Sequence, residues 1–169
     1  MRTLIALLSL VAGLLAGTAA HADEDIVVEA IVEAPVAEVY KAWATSAGLE
    51  SWLAPHADID LRVGGLMRVT YDPAGKLGDA GTIENRVLAF ERDRMLTIQV
   101  AKAPDDFPFR TIVSSMRTVL TFEPASDGRT LVRVVGSGFT ADPDSQRMKN
   151  FFSRGNAQTL AMLQKRFGK

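Results

Sequence analysis

Few residues in this chain are suited to chemistry, and they are widely spaced. Among 169 residues there are two histidines and no cysteine. Without cysteine, disulfides, thiolate metal sites, iron–sulfur clusters and thiol nucleophiles are excluded. His56, followed by Asp58 and Asp60, has the residue types of a general base oriented by a carboxylate. Their alternating spacing places all three on one face of a strand. Ala57, Ile59, Leu61 and Val63 alternate with them and have the character of a buried face, which turns the polar trio toward solvent. Glu84 and Arg86, with Arg117 and Arg133 further along, form either a polar constellation in a cavity or charged strand faces joined by cross-strand ion pairs. Ile83, Asn85 and Val87 compete with them for the inner position. An enzyme built on this chain would therefore rely on His56, Tyr71, Glu84 or Arg117.

Other chemistries lack their residues. Gly64-Gly65 has neither the lysine nor the following helix of a phosphate cradle and suits a hairpin turn instead. Nineteen basic against 20 acidic residues leave no basic excess for nucleic acid. No histidine cluster is available to hold a metal, and no motif calls for a cofactor.

The N-terminus narrows the choice further. Arg2, an apolar run from Leu4 to Leu15 and the small-residue ending Ala20-His21-Ala22 read as a secretory signal peptide. The apolar run is shorter than the roughly 20 residues of a spanning helix. The expectation is cleavage after Ala22, a periplasmic or secreted location and a mature chain with no stable membrane span. Residues 23–169 then form a single domain at net charge −2, since one basic residue leaves with the signal. His21 leaves too, and His56 becomes the only imidazole.

The elements that must position these groups follow from patterning. Ile26 to Glu33 is β-branched and partly alternating, as in a strand. Pro35 opens a helix to Ala44, and Thr45-Ser46 cap a second short helix through Leu53. Strands are expected over Ala57–Val63, Leu66–Tyr71, Thr82–Phe90, Met95–Val100, Ser114–Phe122 and Thr130–Phe139. Ala101 to Arg110 carries two prolines and reads as a loop. Asp142 caps a long helix to Phe167, along which Met148, Phe152, Gly155, Thr159 and Met162 recur at helical spacing. The order β, α, α, six strands, α describes an α+β domain whose seven-stranded antiparallel sheet wraps around the C-terminal helix.

Such a sheet and helix leave room for a cavity. Trp43, Trp52, Met67, Tyr71, Phe107, Phe109, Met116, Phe122, Phe151 and Phe152 supply the core or an adaptable apolar pocket. The loop Phe107-Pro108-Phe109 has the character of a lid. Gly155, in mid-helix on the apolar face, indicates either close backbone approach or space kept open, because Gly costs about 1 kcal/mol against Ala there.

Several stretches together resemble a known family. Glu33-Ala34-Pro35, Val39-Tyr40, Trp43-Ala44-Thr45, Leu49 and Trp52-Leu53-Ala54-Pro55 resemble the opening signature of the Hsp-ATPase-activator-homologue family, of the START-like (SRPBCC) helix-grip superfamily. Asp60-Leu61-Arg62-Val63-Gly64-Gly65 is similar to its D-x-R-x-G-G turn, and Gly81 to Glu84, Thr118 to Phe122, Gly128 to Thr130 and Gly138-Phe139 fit its later strands. One departure stands out: the family's Gly-Trp in the last helix is Gly155-Asn156 here. The resemblance implies a helix-grip fold but no shared catalytic residues. Taken with the apolar set and the shortage of catalytic groups, it favours binding of a small hydrophobic or amphipathic ligand between helix and sheet, in a protein that the signal sequence marks for export. Trp43, Trp52, Met67, Tyr71, Phe107, Phe109, Met116, Phe152, Gly155 and Thr159 are the candidate ligand-binding residues. The alternatives are a cyclase- or hydrolase-type enzyme using the same cavity and a protein-interaction module.

Overall fold

A computed structural model describes residues 25–168, so the signal sequence expected at 1–22 lies outside the described residues. The chain forms β1 (Ile26–Val32), α1 (Val36–Ala44), α2 (Ser46–Glu50), β2 (His56–Ile59), β3 (Leu66–Thr70), β4 (Ile83–Glu91), β5 (Met95–Lys102), β6 (Arg117–Pro124), β7 (Thr130–Ser137) and α3 (Pro143–Phe167). The α+β order read from the sequence is therefore present, with the largest boundary shifts at β2, β6 and α2. All strand pairs are antiparallel, in the order β1-β7-β6-β5-β4-β3-β2. β1 and β2 lie at opposite edges, so α1 and α2 carry the chain from one edge of the sheet to the other. That is why two short helices interrupt the strands. Two register shifts between β4 and β5 mark bulges, which bend a sheet and increase its twist.

Side chains of α2 cover the β2 edge. Ala57 N donates to Glu50 Oε1 at 3.3 Å and Ile59 N to Ser46 Oγ at 3.1 Å, so backbone donors at this edge are satisfied without another strand. Thr45 caps α2, accepting from Gly48 N at 3.0 Å, and Asp142 caps α3, accepting from Asp144 N at 2.8 Å. Both caps match the sequence reading.

The differences have local causes. β2 ends at Ile59 rather than Val63. Asp60 N still donates to Leu66 O of β3 at 2.9 Å, but the chain then turns, and Gly64-Gly65 bond to β4. Gly64 N donates to Val87 O at 2.8 Å and Val87 N to Gly65 O at 2.9 Å. Gly64 has φ +82°, and a Cβ on Gly65 would come within 2.1 Å of Asp60 O, so each glycine is needed for a different reason. Val63, expected on the buried face, is 66% exposed as a result. β6 starts at Arg117 rather than Ser114, since Val113–Ser115 close a 3-10 turn. α2 stops at Glu50, and a turn carries the chain on to Leu53.

The core holds α3 at its two ends. Met148 packs with Ile26, Val113, Met116 and Phe139 near the helix N-terminus. Leu160 and Leu163 enter the main core with Val39, Leu49, Val87, Leu96, Leu120 and Val132. Gln164 Nε2 donates to Ile31 O at 2.9 Å and ties the same end to β1. From Lys149 to Thr159 no helix residue is fully buried. Tyr40, in the main core, meets Phe122 edge-on at 5.4 Å. Its buried hydroxyl has no hydrogen-bond partner, and burial, with Asp93 adding to it, raises its pKa.

Tyr40→Phe removes that hydroxyl without opening a cavity and is expected to leave stability at pH 7 unchanged or raised. In the wild type the unfolded state releases this proton near pH 10 while the folded state resists, so stability falls as pH rises past that point. The variant should lose less stability between pH 7 and the alkaline range in urea titrations. A loss of more than about 1 kcal/mol at pH 7 would show that the hydroxyl has a partner.

Candidate functional site

Where α3 is not held down, a cavity of about 570 Å³ lies beneath it. This falls within the roughly 300–1,000 Å³ of small-molecule pockets. The sheet supplies its floor with Met67 and Val69 of β3, Ile83 and Asn85 of β4, Ile98 and Val100 of β5, Thr118 and Leu120 of β6 and Val134 of β7. The roof is one face of α3, from Phe151 and Phe152 through Gly155, Asn156, Gln158 and Thr159 to Met162. Trp43 and Leu53 line it from the α1–α2 side, and Ala103, Pro104, Phe107 and Val113 from the loop after β5.

Strand parity decides which polar groups reach this space. Ile83, Asn85 and Val87 point inward, so Glu84 and Arg86 are on the other face, where Glu84 stands opposite Arg68 in register. Thr118, Leu120 and Phe122 likewise take the inner face of β6 and leave Arg117 exposed. Arg133 pairs with Glu29 across β7 and β1 at 2.6 Å, the cross-strand ion-pair alternative of the sequence reading. Asp58 bonds to Arg68, directly opposite on β3, rather than to His56. His56 Nε2 lies 3.1 Å from Pro73 O; the carbonyl only accepts, so this nitrogen carries the proton. Asp60 bonds to Arg62 at 2.7 Å. No oriented acid–base pair forms at His56.

Of the four candidate catalytic residues the structure brings only Tyr71 to the cavity, at a rim position where it is 56% exposed. Desolvation of its hydroxyl raises the pKa further above neutrality, and the phenol can donate or accept a hydrogen bond. Among the described residues, no histidine, carboxylate, lysine or arginine lines the cavity. Nor, among the described residues, does any group of three His, Cys, Asp or Glu side chains stand together as a metal site.

Seven of the ten candidate ligand-binding residues, Trp43, Met67, Tyr71, Phe107, Phe152, Gly155 and Thr159, line the space, and three do not. Trp52 sits behind Trp43, ring centroids 4.8 Å apart at 73°, with its Nε1 donating to Ala42 O at 3.1 Å. Met116 is buried in the cluster around Met148, because the turn at Val113–Ser115 directs it there. Phe109 stacks outside: it meets Phe151 at 5.7 Å and Phe107 at 5.8 Å, while Phe107 also meets Phe151 at 5.6 Å. These contacts hold the 107–109 loop against α3. Asn85, Thr118, Asn156 and Gln158 also line the cavity, beyond the residues that type alone suggests. In-phase spacing was their available signal: Asn85 lies between Ile83 and Val87, and Asn156 one turn from Phe152 and Thr159.

Gly155 resolves an alternative left open by its sequence position. A Cβ built there meets no atom within 4 Å, so the glycine faces space and not a closely packed backbone. An adjoining groove of about 500 Å³ shares Phe151, Gly155 and Gln158 with the cavity and adds Arg147 and Arg154. Gly155→Ala should raise stability by up to about 1 kcal/mol, the helix-propensity difference, in denaturant titration. A clear loss of stability would mean that backbone or side chains press on that position.

The comparisons agree with this architecture. A family model described as Activator of Hsp90 ATPase homolog 1-like protein matches residues 33–168. No curated protein matches the chain. Among solved structures, protein MLL2253 from Mesorhizobium loti is 23% identical with TM-score 0.66, covering 85% of this chain and 96% of that one. The Aha1 dimer from Colwellia psychrerythraea is 16% identical at TM-score 0.66, covering 86% and 96%. CalU16 from Micromonospora echinospora is 22% identical at TM-score 0.59, covering 82% and 71%. At these identities the structures speak for the fold. The family match spans nearly the whole described chain, and the protein belongs to the Activator of Hsp90 ATPase homolog 1-like family, with its START-like helix-grip fold.

Proposed function

We propose that the protein is exported, loses residues 1–22, and holds one small hydrophobic or amphipathic molecule between α3 and the sheet. The observation that carries this reading is the open side of Gly155 above a cavity of about 570 Å³. Empty apolar space is costly, because lining atoms forgo dispersion contacts with a neighbour. A glycine that keeps such space open within a helix costs stability a second time. Both costs are offset when a ligand fills the volume. The lining favours binding over catalysis: its hydroxyls and amides orient a molecule but supply no general base. A charged group on an amphipathic ligand belongs outside, at the adjoining groove where Arg147 and Arg154 stand. Among the described residues no helix is long and apolar enough to cross a membrane.

Two measurements test these parts separately. N-phenyl-1-naphthylamine, a neutral probe that brightens in apolar surroundings, should bind the mature chain saturably at one site. Gly155→Leu should remain folded by circular dichroism and lose that binding at least tenfold, since the new side chain occupies the ligand's volume. Equal binding by both proteins would place the probe elsewhere and count against the cavity as the site. For export, protein recovered from the extracytoplasmic fraction of its host should begin at Asp23 by intact mass. A cytosolic protein that retains Met1 would contradict that part.

A further inference from the structure

Two polar residues interrupt the apolar floor of the cavity, and a third stands on its roof. Asn85 of β4 and Thr118 of β6 lie among the aliphatic side chains of the sheet, and Thr159 of α3 lines the opposite side. All three are half-buried. Among the described residues, their side-chain oxygens and the Asn85 amide nitrogen have no hydrogen-bond partner in the protein. Nor are these atoms sealed: the unpaired polar atoms shut in by surrounding protein are Tyr40 Oη, Trp43 Nε1 and Asn156 Nδ2. Asn85, Thr118 and Thr159 therefore present open polar atoms, whereas the nitrogens of Trp43 and Asn156 are withheld from the space. Polar side chains buried elsewhere are bonded: Thr130 Oγ1 donates to Ala34 O at 2.7 Å, and Ser145 Oγ accepts from Thr140 N at 2.9 Å.

The sheet sets how far apart these groups stand. β5 separates β4 from β6, so Asn85 and Thr118 are on strands two spacings, about 10 Å, apart. Asn85 is opposite Val100 and Thr118 opposite Ile98, and those two apolar residues of β5 lie between them on the floor. On α3, Thr159 is one turn beyond Gly155, the open position of the roof. The remaining polar side chains of the wall offer less to the interior. Tyr71 and Gln158 are exposed at the mouth, where water meets them, and Asn156 has one of its two polar atoms sealed. The three interior groups are an amide and two hydroxyls, each able both to donate and to accept. They match hydroxyl-type oxygens, and among the described residues no charge on the wall favours an ion. A ligand that fills the cavity takes these groups out of water, and each one left without a partner weakens binding. A bare alkyl chain with one head group leaves at least two of them so.

Resting on the reading of the cavity as a ligand site, we propose that its ligand is a neutral, rigid ring molecule with hydroxyl-type oxygens at two or more separated points, met by Asn85, Thr118 and Thr159. Its apolar rings lie over Val100 and Ile98, and its oxygens reach the polar groups on either side. Rigidity follows from the spacing: polar points fixed two strands apart are met with least loss of freedom by a body whose oxygens are already held apart. Affinity then rises with the number of oxygens. A purely apolar pocket does the reverse, since each hydroxyl is buried there without a partner.

One rigid skeleton carrying no, one or two oxygens tests this: trans-stilbene, trans-4-hydroxystilbene and trans-4,4′-dihydroxystilbene, titrated against the mature chain. Each hydroxyl should tighten binding about fivefold, the effect of one net hydrogen bond. Thr118→Val, which keeps the shape of the side chain, and Asn85→Leu should each bring the diol down toward the affinity of the mono-hydroxy compound. Stilbene should bind both variants at least as well as the wild type, and circular dichroism checks that they fold. In ¹H–¹⁵N spectra of the wild type, the Asn85 side-chain amide signals should shift with the diol and much less with stilbene. Dodecanoate, one charged head on a bare chain, should bind more weakly than the diol. If the stilbenes bind with affinity level or falling at each hydroxyl, the polar assignment fails and the cavity reading stands. A diol preference unchanged in both variants, or dodecanoate binding tighter than the diol, would also overturn the assignment. Stilbenes that fail to bind where N-phenyl-1-naphthylamine does overturn this proposal alone, and failure of all four probes overturns the cavity reading itself.

Discussion

The attachment of α3 at both ends is the constraint on which the rest of this structure depends. Met148 at one end and Leu160 and Leu163 at the other are fully or nearly fully buried, and each belongs to its own cluster. A straight helix fixed at two points cannot also sink between them into a sheet that curves away. The bulges between β4 and β5 contribute that curvature beneath the unburied middle of the helix. Larger side chains there would close the gap, and the chain instead has Gly155, Asn156 and Thr159. The cavity is thus a consequence of where the helix is held and which residues lie between the holding points.

The same geometry separates charge from the interior. On β4, β6 and β7 the charged residues alternate with those that face α3, and the pleat puts them on the far side of the sheet. Pairing across strands then follows from register, as in Glu29 with Arg133 and Asp58 with Arg68. The residues whose types suggested catalysis belong to this outer system or to the rim. What remains inside can shape, orient and hydrogen-bond a molecule. Family membership thus accounts for the fold, and the chemistry available depends on this chain's own cavity wall.

Much of this was legible in the sequence, for identifiable reasons. The caps Thr45 and Asp142, the turn at Gly64-Gly65 and the stripe through Phe152, Gly155, Thr159 and Met162 depend on local rules that residue types carry directly. The inner face of β4 did not, because both alternating sets contain polar residues: Glu84 and Arg86 in one, Asn85 in the other. Only pairing with β3 and β5 decides between them. Residue type alone places Met116, Phe109 and Trp52 at the cavity. Their directions depend on a 3-10 turn, an aromatic cluster and a packing partner that adjacent positions do not encode. Asn156 stands out in the sequence only as a departure from the family pattern, since an amide in a helix suits a surface position unless the helix bridges a gap.

The central claim is that the space under the middle of α3 is kept open to be filled by something other than protein. A high-resolution crystal structure of the mature protein purified from its native host tests it most directly. The account predicts that α3 stands off the sheet between Met148 and Leu160, with ordered non-protein density beneath Gly155. A structure in which Phe152 and Met162 pack down onto β4, β5 and β6 and close the space would contradict it.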